Sequence, residues 1–108
     1  MGKHYLLNLY GCEFDHLNDL NFIIETLNGA ANLCGATILN VVSHQFEPNG
    51  ITVILLLAES HISFHSWPEQ RTAACDVYTC SKTDPRVGCL FIIEKLHPIN
   101  HKLTFIQR

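Results

Sequence analysis

Apolar and polar residues alternate along several stretches of the chain, the pattern of strands with one buried face. The segment KHYLLNLYGC places Tyr5, Leu7 and Leu9 on one side of a first strand. The β-branched segment ATILNVVSHQF ends at EPNG, whose Asn-Gly pair predicts a hairpin turn into the strand ITVILLLA. Three further strands are predicted, with the sequences SHISFHSW, TAACDVYTC and HKLTFIQ.

Two other stretches carry the helical spacing of apolar residues. Between residues 18 and 34 the apolar positions recur every three to four residues, and Gly35 supplies a stop. Asp84 followed by Pro85 is typical of a helix N-cap and first turn, and this second helix is predicted to end near Leu96.

The resulting order of elements is β-α-β-β-β-β-α-β. Runs of adjacent strands exclude repeated βαβ crossovers, so the pattern predicts an α+β fold. We expect a two-layer α/β sandwich in which two helices pack on one face of a largely antiparallel sheet. A chain of 108 residues supports one core, so residues 1–108 are predicted to form a single domain.

Composition and charge limit the kinds of macromolecule that the chain is expected to bind. Hydrophobic residues make up 47% of the chain and charged residues only 16%, which favours an uncovered apolar face and self-association. Seven Lys and Arg are scattered singly in a chain of net charge −3, so no nucleic-acid partner is expected.

Cysteine usage and the lengths of the apolar runs indicate where in the cell the chain is expected to lie. Five cysteines at irregular spacing, with no secretory signal at the N-terminus, favour a reducing cytoplasm. The longest apolar run, residues 51–58, is far shorter than the roughly 20 residues that span a bilayer. We therefore expect no membrane span.

The segment AESHISFHSWPE concentrates the candidate chemistry directly after that apolar run. Ser60 follows the acidic Glu59, and alternation places His61, Ser63 and His65 on one strand face. The segment is interpreted either as a polar strand end or as a site in which His65 acts as a base. Cys80, at a strand end, could pair with His65 as a hydrolase nucleophile or act as a proton donor, and spacing alone leaves both open.

Histidine and cysteine spacings do not favour a metal. His61 with His65 and His97 with His101 have the H-x3-H spacing, which binds a metal when both residues share a helix face. The first pair lies on a predicted strand and Pro98 interrupts the second, so no metal site is expected from these pairs.

Four segments resemble one known family. ESHISFHSWPE followed by AACDVYTC, with GKHYLLNLYGC near the start and SHQFEPNG in the middle, is similar to the bacterial and archaeal S-adenosylmethionine decarboxylase proenzyme. The resemblance covers nearly the whole chain. It implies that the chain cuts itself between Glu59 and Ser60 into segments 1–59 and 60–108, and that residue 60 becomes a pyruvoyl cofactor.

The resemblance also implies roles for single residues. Ser60 would attack the Glu59 carbonyl and later, as the pyruvoyl group, form a Schiff base with the substrate amine. His65 matches the family's processing base, and Thr52 occupies a position where a hydroxyl assists the acyl shift. Cys80 matches the proton donor of the decarboxylation, a role that needs a protonated thiol.

Substrate recognition is implied at three further positions. Phe46 and Trp67 match aromatic residues that stack on adenine, and Glu69 matches an acid that receives the ribose hydroxyls. The implied substrate is S-adenosylmethionine, the product feeds spermidine and other polyamine synthesis, and the implied assembly is a homodimer.

The chain departs from the family pattern in two places. Ser81 replaces the usual glycine after Cys80, and the sequence ends at Arg108 without the tail that many relatives carry. Relatives with the same self-cleaving core decarboxylate arginine or ornithine, so an amino-acid decarboxylase is one alternative. A homologue that never cuts itself and acts as a binding subunit is another, and a Cys-His hydrolase built on Cys80 and His65 is a third.

Overall fold

A computed structural model describes residues 1–80 and 82–108 of the chain. These residues form a sheet and the helices that cover one of its faces. The strands are β1 (Gly2–Tyr10), β2 (Ile38–Gln45), β3 (Ile51–Leu57), β4 (Ser60–Trp67), β5 (Thr72–Cys80) and β6 (Asn100–Gln107). The helices are α1 (Phe14–Leu17), α2 (Leu20–Cys34) and α3 (Pro85–Leu96), and a short 3₁₀ turn spans Pro68–Gln70.

The sheet runs in the order β2-β3-β4-β5-β1-β6. Each neighbouring pair within the described residues is antiparallel, so the predicted α+β sandwich is confirmed. Strands β2 to β5 follow one another as a meander, whereas β1 lies between β5 and β6. The predicted element order also holds, with the addition of α1 and the 3₁₀ turn.

Capping residues in the sequence mark where the two long helices begin and where α2 ends. Asp19 caps α2 by accepting a hydrogen bond from the Phe22 amide, and Gly35 closes it with a left-handed φ of 81°. Asp84 caps α3 in the same way through the Arg86 amide, and Pro85 occupies the first turn.

The core lies between the helices and one face of the sheet. The alternation in β4 buries Ile62 and Phe64 toward the helices, and Leu7 and Leu9 of β1 are fully buried on the same face of the sheet. Each such side chain contributes roughly 1.5 to 3 kcal/mol by its removal from water. This core fixes the register of the sheet, because a slip of one residue would expose it.

The opposite face of the sheet, called the open face here, carries no helix of the described residues. It combines polar side chains with large apolar ones that are from 38% to 60% exposed. The exposed apolar residues on this face include Leu6, Val42, Leu56 and Ile106. None of the helices formed by residues 1–80 and 82–108 is long and apolar enough to cross a membrane.

Candidate active site

The predicted cleavage point lies in the tight turn between β3 and β4. Leu57 pairs with Ser60, which leaves Ala58 and Glu59 as the two turn residues. Glu59 has a φ of 68°, in the left-handed region that a residue with a Cβ adopts at a cost of about 1 to 2 kcal/mol. The peptide bond between Glu59 and Ser60 therefore follows a strained residue, at an end of the sheet.

Cys80, the last residue of β5, lies beside this peptide bond. Its Sγ is 3.2 Å from the Glu59 carbonyl oxygen, in position to donate a hydrogen bond, and 3.6 Å from the Ser60 Oγ. The structure thus brings Glu59, Ser60 and Cys80 together.

A pocket of about 340 Å³ opens at this point, and Lys82 and Thr83 also line it. The Thr79 hydroxyl, 2% exposed, borders the pocket and has no hydrogen-bond partner among the described residues. A buried hydroxyl without a partner costs free energy, which marks the Thr79 hydroxyl as a candidate donor beside this pocket.

The other predicted residues lie at the opposite end of β4. Thr52 pairs with His65 across β3 and β4, and the Thr52 Oγ1 is 3.0 Å from the His65 Nδ1. A second pocket, of about 420 Å³, opens beside them and includes Phe46, Trp67 and Glu69. Phe46 and Trp67 are 47% and 43% exposed, so both aromatic side chains are accessible to a ligand in this pocket.

Asn18 holds the loop that forms this second pocket. Its side-chain oxygen accepts a hydrogen bond from the Gly50 amide, and its Nδ2 donates to the Asn49 side chain. The Gln45 side chain donates to the Asn18 carbonyl oxygen. Sequence reasoning missed this residue, because Asn18 lies 31 positions from Asn49 and carries no local motif.

The two groups of residues do not meet within one chain. Ser60 and His65 are five residues apart on one extended strand, a separation of roughly 16 Å. Cys80 is likewise six positions from Ala74, the β5 residue that pairs with His65. His65 lies on the open face, where its pairing partners are Thr52 and Ala74. The Cys80–His65 couple considered for a hydrolase therefore does not form inside a single chain.

A third polar cluster occupies the middle of the open face. The Asp76 Oδ2 is 2.6 Å from the His4 Nε2 and 3.0 Å from the His61 Nε2, and Ser63 donates a hydrogen bond to the Oδ1. Burial raises the pKa of Asp76, but the hydrogen bonds from Ser63 and the two histidines lower it by more. The net pKa lies below the ordinary value, so Asp76 is a carboxylate at neutral pH.

The remaining cysteines are buried in the core. Burial raises the pKa of Cys12 to about 11, against a smaller lowering by Arg71. Burial raises the pKa of Cys89 to about 12, and the pKa values of Cys34 and Cys75 are raised as well. These four thiols are therefore protonated at neutral pH in the folded chain. Ser81 lies outside the described residues.

Comparison with known proteins identifies the family. The family model described as S-adenosylmethionine decarboxylase matches residues 3–108. The S-adenosylmethionine decarboxylase proenzyme of Prochlorococcus marinus is 47% identical over 109 residues, which cover all of this chain and 87% of that protein. The proenzyme of Bacillus velezensis is 43% identical over 97 residues, covering 90% of this chain and 77% of that protein.

A solved structure agrees with these sequence relatives. The crystal structure of the adenosylmethionine decarboxylase from Aquifex aeolicus superposes with a TM-score of 0.92 at 38% identity, over all of this chain and 90% of that one. Because the family match and the relatives cover nearly the whole sequence, this chain belongs to the S-adenosylmethionine decarboxylase family.

Proposed function

We propose that the chain is a self-processing decarboxylase of S-adenosylmethionine that supplies the aminopropyl donor of polyamine synthesis. The observation that carries this proposal is the geometry of the Glu59–Ser60 peptide bond. Glu59 has a left-handed backbone conformation, and the Cys80 thiol is 3.2 Å from the Glu59 carbonyl oxygen. Strain of this kind persists where the surrounding structure imposes it, and it clusters at sites of reaction.

Self-cleavage would use groups that the chain itself supplies. The Ser60 Oγ attacks the Glu59 carbonyl carbon, and the C–N bond breaks as an ester forms. Removal of the Ser60 α-proton then expels the Glu59 carboxylate and leaves a dehydroalanine at residue 60. Water replaces its nitrogen, which departs as ammonia, and a pyruvoyl group remains. The products are segments 1–59 and 60–108.

The residues around Ser60 suit the group that this chemistry leaves. A pyruvoyl group would supply an electrophilic carbonyl to capture the substrate amine and accept the electrons of the breaking C–C bond. The Cys80 thiol is 3.6 Å from the Ser60 Oγ, which supports its proposed role as the proton donor to the carbon that loses CO₂. The unpartnered Thr79 hydroxyl is a second donor in the same pocket of the described residues.

The second pocket fits the other end of the substrate. Phe46 and Trp67 present exposed aromatic faces for an adenine ring, and the Glu69 carboxylate is an acceptor for ribose hydroxyls. A sulfonium cation would also be attracted to aromatic faces. This combination favours an adenosyl substrate over arginine or ornithine, which offer no flat ring to stack.

The distance between the two pockets supports assembly from two copies. Ser60 and Trp67 are seven residues apart on β4, or roughly 23 Å, so one chain does not present both to a single adenosyl substrate. His65, the proposed processing base, is also far from its own Ser60. We infer that a second copy supplies Thr52, His65 and the adenine pocket to each cleavage site.

The open face provides the surface for such a homodimer. Its exposed residues Leu6, Val42, Leu56 and Ile106 would be buried if two sheets packed face to face. A two-fold axis between the sheets and perpendicular to the strands would place the Ser60 end of one β4 near the His65 end of the other. Closed two-fold symmetry is the commonest arrangement of homo-oligomers.

The proposal is tested by intact mass measurement of the purified protein together with CO₂ release from labelled substrates. We expect two polypeptides, the second starting with a blocked keto-acyl terminus, and turnover of S-adenosylmethionine. Ser60→Ala should remain one polypeptide and release no CO₂, while Ser63→Ala, a serine on the same strand, should still be cut.

Other outcomes would identify the alternatives. Turnover of arginine or ornithine, without that of the sulfonium compound, would contradict the substrate. An uncut chain that retains no turnover would indicate the binding subunit. Hydrolytic activity retained by Ser60→Ala would indicate the Cys-His hydrolase, with Cys80 and His65 contributed by different copies.

A further inference from the structure

One buried hydroxyl lies where β3 and β4 separate beside the second pocket. The last pair of the β3–β4 ladder at this end is Thr52 with His65. At the next position the Ile51 amide donates a hydrogen bond to the Ser66 Oγ, 3.1 Å away. A side-chain oxygen therefore takes the place of a backbone carbonyl as the acceptor for this amide, and the backbone ladder ends where the pocket begins.

The same hydroxyl also holds the end of helix α1. The Ser66 Oγ donates a hydrogen bond to the Leu17 carbonyl oxygen at 2.7 Å, and Ser66 is only 6% exposed. Leu17 is the last residue of α1, and a carbonyl at a helix end has no partner within its own helix. The hydroxyl uses its one proton on α1 and a lone pair on the Ile51 amide, so the Oγ position is fixed from two sides.

Ser66 lies between two residues of the proposed site on the same strand. Its side chain is buried toward the helices, while alternation places His65 and Trp67 on the open face, where their ring centroids are 6.4 Å apart. Trp67 lines the second pocket. A strand residue whose side chain is held in the core restricts the backbone on either side of it, so Ser66 fixes the direction of the Trp67 side chain.

Phe46, on the loop between β2 and β3, is held through the other partner of the hydroxyl. The Phe46 amide donates a hydrogen bond to the Gly50 carbonyl oxygen at 2.8 Å, and Gly50 directly precedes Ile51. The Gly50 backbone also approaches the Ser66 carbonyl so closely that a Cβ on Gly50 would lie 3.3 Å from that oxygen. The two aromatic residues of the pocket, Phe46 and Trp67, are thus carried by the two segments that the Ser66 Oγ joins.

We propose that Ser66 is a positioning residue that sets the separation of Phe46 and Trp67, and so the affinity of the second pocket for an adenine ring. This role rests on the proposed function, because the ligand of the pocket is part of that proposal. The alternative is that Ser66 contributes only to stability. Thr26 of α2 provides the comparison, since it is 4% exposed, donates a hydrogen bond to the Phe22 carbonyl oxygen at 2.8 Å and does not line the second pocket.

The fluorescence of Trp67, the only tryptophan of the chain, tests this role without any turnover. Ser66→Ala removes the acceptor of the buried Ile51 amide and loosens the strand end, so acrylamide should quench Trp67 more strongly in the ligand-free protein than in the parent. Thr26→Val is the matched control, because it loses a buried hydroxyl–carbonyl bond of the same kind, and its quenching should equal that of the parent. Urea unfolding of both variants compares their losses of stability and shows that each is folded.

Steady-state kinetics of fully cleaved protein measure the consequence for the substrate. Ser66→Ala should raise KM for S-adenosylmethionine by about 5- to 20-fold and change kcat by less than about threefold, because the lost bonds act on binding and not on the reacting atoms. Ser66→Thr keeps the hydroxyl and should recover most of the affinity. Thr26→Val should leave KM as in the parent.

The results that would overturn the role of Ser66 are separate from those that would overturn the proposed function. Trp67 quenching that is unchanged in folded Ser66→Ala, or that changes equally in Thr26→Val, would contradict the positioning role, and so would an unchanged KM. A parent protein that does not turn over S-adenosylmethionine would contradict the proposed function. The quenching comparison would then still decide whether Ser66 positions Trp67.

Discussion

The two ends of strand β4 differ in the chemistry they present. At the first end, the strained turn residue Glu59 precedes Ser60, and the Cys80 thiol is within hydrogen-bond distance of the Glu59 carbonyl oxygen. At the other end, the His65 ring is hydrogen-bonded to the Thr52 hydroxyl beside a pocket with two exposed aromatic rings. We propose that the first end carries the bond-breaking reaction and that the second supplies the base and the surface that binds the substrate. On this proposal one chain carries two half-sites, and their separation argues for a partner of the same sequence.

The largest effect expected at the first end concerns Cys80. Cys80→Ala removes the proposed proton donor, so CO₂ release should fall by about 10²- to 10⁴-fold, the usual contribution of a general acid. Self-cleavage should still reach completion but more slowly, because only the hydrogen bond to the Glu59 carbonyl is lost. Gel analysis over time and a CO₂ assay check the two steps separately. A variant that is never cut would contradict the division of roles.

At the second end, Trp67→Ala should weaken substrate binding without affecting cleavage. Loss of base stacking on an aromatic ring costs about 1 to 3 kcal/mol, which corresponds to a rise in KM of roughly 5- to 150-fold. Steady-state kinetics of the processed enzyme measure this rise, with kcat less affected. Phe105→Ala, which removes a 48% exposed ring from the edge strand β6, away from the second pocket, is the control and should leave KM unchanged. Equal losses in both variants would indicate a general structural effect.

A smaller effect is expected for Asn18, which acts on the same pocket through the loop. Asn18→Ala removes hydrogen bonds to Gly50 and Asn49, so KM should rise by about two- to tenfold while kcat and cleavage stay close to normal. Asn18→Asp keeps the acceptor for the Gly50 amide and should recover most of the affinity. If kcat falls while KM is unchanged, Asn18 does not position the pocket.

The last prediction concerns the core thiols and the stability of the fold at high pH. The raised pKa values of Cys12 and Cys89 mean that these thiols stay protonated in the folded chain, whereas unfolded cysteines ionise near pH 9. The free energy of unfolding should therefore be unaffected by these groups below about pH 9 and fall as the pH rises toward 11. Urea unfolding at several pH values measures this. Cys89→Ala should lose less stability than the parent over the same interval.

Sequence reasoning predicted the fold because local signals and burial agree. Strands β4 and β5 begin and end at the predicted residues, and Asp84 and Gly35 mark helix ends where expected. The helix α1 was missed, since four residues are too few to show a helical period. The hairpin at EPNG also follows from local sequence, with Gly50 at a φ of 112°.

The site was less accessible to sequence reasoning than the fold. The family motif pointed to Ser60, His65 and Cys80, and it could not indicate that Ser60 and His65 lie at opposite ends of one strand. Asn18, Thr79 and the grouping of His4 with Asp76 depend on cross-strand register and on contacts between distant segments. Those relationships arise only when the sheet is assembled, so no local pattern in the sequence predicts them.

The two-copy site requires His65 to act on the Ser60 of another copy, and co-expression of two inactive chains tests this most directly. Ser60→Ala keeps His65 but has no nucleophile, while His65→Ala keeps the nucleophile but lacks the base. Each alone should remain uncut. When both are made together with distinguishable tags, the His65→Ala chain should be cut and the Ser60→Ala chain should stay whole. If the His65→Ala chain remains uncut in isolated mixed dimers, or is cut when expressed alone, the two-copy site is contradicted.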